Sequence, residues 1–364
     1  MNYTFSCNKD REEFLKILNY NLQLLCGNYN EKEEKNRNSL NSALESVKII
    51  PNLPDEYLDQ KRLSGETIFK STGKSSIYMK GFNYAPLFKY NHIKHIFSHE
   101  IWHAICAIMN RKNDKTDKNG KRIYKKTIVN GKKYIGAGGL IVDTTNGKGI
   151  GKLFQETMMD ICASITLFEF DREYKLQNPN VNADTIISEH IDKWNNNNMS
   201  GYSVLTSITR LMIAACSNEP NLNYHYWIQQ GEPFAELKTR RNNGNIMNAN
   251  DFLYGMMYDP IYIMEEYDKY MGEGSYLELL KITDQIYEQG ISPNEDIDSN
   301  LVKQVMTEIS GFANVRTHQL KQQGVFSDKD ILVLSSHYNR IWNSMQKEYS
   351  AYFSRNDINN IRKK

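Results

Sequence analysis

The chain has 364 residues, 40% hydrophobic and 24% charged, which is enough for one large or two medium domains with a buried core. A formal net charge of +2 excludes a global electrostatic bias toward nucleic acid or a membrane surface. Only 8 Pro and several long amphipathic runs predict a chain that is mostly helical.

Met1 to Asp10 is polar and lacks the basic-then-apolar pattern of a secretory leader. No run of 18 apolar residues occurs, so no membrane span is expected and the expected location is cytoplasmic. Helical spacing of Phe14, Leu15, Leu18, Leu22 and Leu25 predicts a helix over 10–26, and a second is expected over 38–48. Pro51 and Pro54 break that pattern. Thr67-Ile68-Phe69 and Ser76-Ile77-Tyr78-Met79 read as two short strands within 66–80.

A helix over 92–109 follows, with Asn91 as N-cap and Ile93, Phe97, Ile101, Ala104, Ile105 and Ile108 as its apolar stripe. Residues 111–133 are rich in Lys and Arg and read as a solvated hairpin rather than a nucleic-acid surface, because few aromatics are interleaved. Its strands are 123–129 and 134–135, joined through a type I′ turn at Asn130-Gly131. Gly138 to Val142 extends the sheet, a Gly-rich loop covers 147–151, and a helix runs from about 152 to 170. Further helices are predicted at 183–194, 202–216, 222–230, 249–270, 275–288, 298–323 and 328–353. Ser327 with Asp330 forms a capping box for the last of these. The five cysteines contain no C-x-x-C pair and read as reduced core residues.

The chemistry concentrates at His99-Glu100-Ile101-Trp102-His103. Positions i and i+4 share a helix face, so His99 and His103 aim two imidazoles at one point, where one Zn²⁺ can sit. Glu100 follows the first ligand, which puts its carboxylate beside the metal as a general base. A catalytic zinc needs a third protein ligand and an open position. Glu156 supplies the candidate ligand. Asp160 lies one turn on and is expected to accept a hydrogen bond from a ligating His, fixing its tautomer. Both acids stand among Leu153, Phe154, Met158 and Ile161, where a buried carboxylate needs a cation or a donor. His95, one turn before His99, is expected to line the cleft or sit behind the ligands, while His92, His318 and His337 look incidental.

H-E-x-x-H followed by E-x-x-x-D on a later helix resembles the gluzincin pattern of thermolysin-like zinc peptidases, as a divergent bacterial member. The text Gly151-Lys152-Leu153-Phe154-Gln155-Glu156-Thr157-Met158-Met159-Asp160 is similar to a G-x-x-L-N-E-G-x-T-E box. It departs from that box at Gln155, Thr157 and Asp160 among other positions, and the Gln155 change bears on substrate contacts more than on the metal. The resemblance covers about 70–160. It implies a substrate-pairing strand before the metal helix, for which Ser75 to Lys80 is the candidate. It also implies a downstream Tyr or His that stabilises the oxyanion: Tyr202 first, with His190 and His225 as alternatives.

The expected fold is therefore α+β and predominantly helical. It has a small mixed or antiparallel sheet packed on the H-E-x-x-H helix, and a large helical C-terminal region. The expected division is 1–55 as an N-terminal helical region, 56–215 as the catalytic domain and 216–364 as helices completing the cleft. The expected activity is hydrolysis of a peptide or protein substrate by Glu-assisted attack of zinc-bound water. Two rivals remain: a non-catalytic zinc-binding scaffold whose helical half binds a partner, and a toxin-like peptidase with one narrow target.

Overall fold

A computed structural model describes residues 48–50, 65–69, 75–79, 95–104, 115–116, 118, 122–123, 126–138, 141–144, 149–163, 203–216, 260–288 and 298–333, with 335, 336, 339 and 343. The expected helices at 10–26, 183–194 and 222–230 lie outside these residues, as do Tyr202, His190, His225 and His92.

Three strands form the first sheet: β1 (Lys48–Ile50), β2 (Gly65–Phe69) and β3 (Ser75–Met79), in the order β1-β3-β2. β2 and β3 pair antiparallel from Gly65↔Met79 to Phe69↔Ser75, as the two short apolar runs predict. β1 was not expected; it runs parallel to β3, and Lys48 was read as the end of a helix. A three-residue strand has no period to read, and its backbone groups become satisfied only by pairing with β3. β1 also corrects the role assigned to Ser75 to Lys80. β3 is the central strand, bonded on both sides over Ser76 to Tyr78, so those residues have no edge to offer a substrate.

The expected hairpin is present but divided. β4 (Lys115–Thr116) pairs with β5 (Arg122–Ile123) as a separate ribbon. β6 (Lys126–Val129), β7 (Lys132–Gly138), β8 (Ile141–Thr144) and β9 (Gly149–Ile150) then form an antiparallel sheet in chain order. Asn130 and Gly131 have φ of 49° and 72°, the two positive values that a type I′ turn requires. A register shift between Gly136 and Gly138 bends β7. Part of the predicted Gly-rich loop is thus strand, since Gly149 and Ile150 bond to β8. Lys118, Lys132 and Lys133 are exposed, in keeping with a solvated hairpin.

Most of the described residues are helical. Residues 95–104 form α1 and 152–163 form α2, each within its predicted span. α3 is Ser203–Cys216, α4 Pro260–Met271, α5 Ser275–Glu288 and α6 Ser299–Gln322, and 328–333 form α7. α4 opens at Pro260, inside the span expected for one helix, because Pro lacks an N–H and suits a first turn. Asp298 caps α6 by accepting from the Asn300 N–H at 2.8 Å. Ser327 and Asp330 form the predicted capping box: Asp330 accepts from the Ser327 N–H at 2.9 Å, and its own N–H donates to Ser327 Oγ at 3.3 Å. Among the described residues no helix is long and apolar enough to cross a membrane.

The chain divides into two compact units, neither continuous in sequence. One comprises 1–114, 159–188 and 231–239, and the other 115–158, 189–230 and 240–364. In the second unit α6 packs on α3 and α5, and α4 packs on α5. Ile263, Tyr267, Leu280, Ile286, Val305, Ile309 and Phe312 are buried there, with the Tyr267 and Phe312 rings 4.5 Å apart. Arg316 is buried against Tyr270, stacking over its ring and donating to its hydroxyl at 2.6 Å. In the first unit Phe97, Ile101, Trp102 and Ala104 bury α1, and Ile77 buries the centre of β3. Cys162 is a buried thiol on α2, as read from its apolar surroundings.

Candidate metal centre

α1 forms because its apolar residues recur at helical spacing. Phe97, Ile101 and Ala104 are fully buried, as is the stripe they define. His99, Glu100 and His103 are buried with them, at 6%, 6% and 8% exposure, so neither imidazole is a surface histidine. His99 Nε2 and His103 Nε2 are 3.1 Å apart, with their rings edge to face. Two nitrogens 3.1 Å apart, each bound to one ion at about 2.05 Å, subtend roughly 98° at that ion. That angle suits a four- or five-coordinate site with room for further ligands.

α2 contributes the acids. Its Leu153, Phe154, Met158, Met159 and Ile161 are buried, as the apolar pattern predicts. Glu156 is half-buried, and a carboxylate oxygen of it joins His99 and His103 in a group whose ligand atoms all lie within 4.8 Å of one another. Two donors on a tetrahedral zinc lie about 3.4 Å apart, a spacing close to that of the two imidazole nitrogens, so the Glu156 side chain would have to close in to complete the set. Three atoms that accept hydrogen bonds, converging in a buried place, need a proton or a cation between them.

Asp160 is also buried, at 1% exposure, which excludes a solvent-facing acidic stripe. Its Oδ1 contacts His95 Nε2 and lies 3.8 Å from His99 Nδ1. The distance to His99 is ion-pair range rather than a hydrogen bond. It still favours the tautomer with hydrogen on Nδ1, which leaves the Nε2 lone pair of His99 for a metal. The partner that Asp160 meets at hydrogen-bonding range is thus His95, where a ligating His was expected. His318, read as incidental, bonds to Gln322 on the exposed face of α6.

Two residues at this site carried no sequence assignment. Thr67 on β2 donates to Glu100: its Oγ1 is 2.6 Å from Glu100 Oε2 and 3.0 Å from the Glu100 carbonyl oxygen. A lone Thr in a strand gives no signal of this. Asp284 on α5 accepts from the Gly151 N–H at 2.8 Å and from the Leu153 N–H at 3.2 Å, capping the start of α2 from outside the helix. Burial pushes the Asp284 carboxyl above its ordinary range, against the lowering effect of these backbone donors and of Lys152. A signal was available here, because Asp284 falls on the stripe of Leu277 and Leu280, where an acid without a partner is unfavourable. Thr157 of α2 also meets Thr209 of α3, hydroxyl to hydroxyl.

No protein-family model, curated protein or solved structure matches this chain. The gluzincin resemblance therefore rests on the residues named above.

Proposed function

We propose that this chain is a metal-dependent hydrolase of peptide bonds, of gluzincin type. The observation that supports this reading is the convergence of His99, His103 and Glu156 in one buried group, with Glu100 beside them on α1. His99 and His103 would hold a divalent cation through Nε2, and Glu156 through a carboxylate oxygen. Two imidazoles and one carboxylate match the donor set of catalytic zinc. A cation held there lowers the pKa of water and polarises a carbonyl oxygen.

The remaining steps belong to the chain's own groups. Glu100 takes a proton from the attacking water onto its carboxylate and returns it to the leaving amine. Asp160 keeps His99 in its tautomer, and His95 braces Asp160. The apolar faces of α1 and α2 around the acids lower the local dielectric, which strengthens each of these interactions. A peptide or protein is the proposed substrate, and Tyr202 or His190 is the proposed stabiliser of the developing oxyanion. A cytoplasmic location is proposed with them.

The test is metal analysis of the purified protein, followed by turnover on a quenched fluorescent peptide mixture. One equivalent of zinc with cleavage that Glu100→Gln abolishes is the expected result. Stoichiometric zinc with no cleavage of any peptide would move the reading to the zinc-binding scaffold.

A further inference from the structure

We propose that Thr67 is a positioning residue for Glu100, its hydroxyl fixing the carboxylate in the orientation that proton transfer needs. This rests on the hydrolase reading above and adds a residue that neither the motif nor the resemblance contains.

The geometry carries the argument. Thr67 Oγ1 has one proton and two acceptors within reach, the Glu100 carboxylate oxygen at 2.6 Å and the Glu100 carbonyl at 3.0 Å. That carbonyl lies inside α1, where backbone N–H groups serve as donors to carbonyls. The hydroxyl proton therefore goes to the carboxylate, the closer and more negative acceptor. A glutamate side chain has three torsions, and a buried one that must transfer a proton loses rate if its oxygens wander. Thr67 removes that freedom from outside the helix.

The anchor is itself rigid. Thr67 is half-buried and pairs with Ile77 in the middle of the five-residue β2–β3 ladder. Its β-branch restricts χ1, so the hydroxyl direction follows the strand. Glu100 is thus held from two elements: its backbone by α1 and its carboxylate by β2. The first sheet then has a task at the site although β3 offers no free edge for substrate.

The experiment compares the zinc-loaded full chain with Thr67→Val, Thr67→Ser and Thr67→Ala, reading kcat, KM, bound zinc and thermal unfolding on the quenched peptide mixture. Thr67→Val is expected to lower kcat by about 10- to 100-fold with KM and zinc content within about two-fold of the starting protein. Thr67→Ser restores the hydroxyl and is expected to recover most of kcat. Should Thr67→Val fail to fold, the Thr67→Ala and Thr67→Ser pair carries the same comparison. Unchanged kcat in Thr67→Val overturns the proposal and leaves the hydrolase reading standing, as does a loss that Thr67→Ser does not rescue. A starting protein that binds zinc but cleaves nothing overturns the hydrolase reading, and the proposal falls with it.

Discussion

Buried and half-buried carboxylates serve two different ends in the α1–α2 pair and in the C-terminal helices. In the C-terminal region they meet backbone donors. Asp284 accepts two N–H groups at the start of α2, and Asp268 accepts the Gly274 and Tyr276 N–H groups at 2.8 Å each, closing the turn between α4 and α5. Those acids are satisfied by the fold and stabilise it. On α1 and α2 the buried polar groups meet one another: His99, His103 and Glu156 converge as acceptors, and Asp160 touches His95. A cluster of that kind could hold a cation. Burial of a charged side chain therefore does not by itself mark a site. What marks it is whether the partners are backbone donors or other ligand-type atoms.

The largest expected effect tests the chemistry of the α1–α2 cluster. Glu100→Gln should lower turnover by about 10²- to 10⁴-fold while zinc content stays near one per chain. Retained turnover would remove Glu100 from the proposed proton transfer. Glu156→Ala comes next. Loss of a polar group behind a metal ligand weakens affinity by about 10- to 100-fold, so loss of the ligand itself should exceed that range in a chelator competition. An unchanged zinc affinity would return Glu156 to the ordinary half-buried acids.

Asp284 is the buried acid that the C-terminal helices set against backbone donors. Asp284→Ala leaves two buried N–H groups without their acceptor and should destabilise the chain by roughly 2–6 kcal/mol in urea unfolding, at about 1–3 kcal/mol for each donor. Its pH dependence has a definite sign. Burial raises the Asp284 carboxyl above the ordinary 3.8, so ionising it costs more in the fold than in the unfolded chain. Its contribution is fully present below 3.8 and falls as pH rises through the raised value. Asp268 behaves in the same direction, also through burial. Against Asp284→Asn, which does not titrate, the starting protein should gain relative stability as the pH is lowered from 7 toward 4. The opposite slope would mean that the backbone donors outweigh desolvation.

The smallest effect belongs to the hairpin turn. Gly131 has φ of 72° with nothing within 4 Å of an added Cβ, so Gly131→Ala should cost only backbone strain, about 1 kcal/mol. Gly274→Ala should cost more, because its Cβ would come within 2.7 Å of Asn130 Nδ2 as well as requiring φ of 86°. Thermal unfolding of the two variants side by side checks the order.

Local patterns were legible in the chain because they depend on near neighbours. The spacing of Phe97, Ile101 and Ala104 sets which face of α1 is buried, and His99 and His103 at i and i+4 must share a face in any helix. Asn130-Gly131 specifies its turn through two positive φ values, and Ser327 with Asp330 caps α7 within four residues. For the same reason Glu156 and Asp160 were readable as a pair. Contacts across long sequence separations were not legible. Thr67 reaches Glu100 over 33 positions, and Asp284 reaches Gly151 over 133. β1 exists only through its pairing with β3, and that pairing removes the substrate edge the resemblance implied. Periodicity states which residues turn inward, and backbone pairing across the fold decides what they meet there. Residue order alone sets the ligand-type side chains and their spacing on each helix. Only the tertiary structure decided that the two helices bring them together, that Asp160 pairs with His95, and that β2 holds the carboxylate of Glu100.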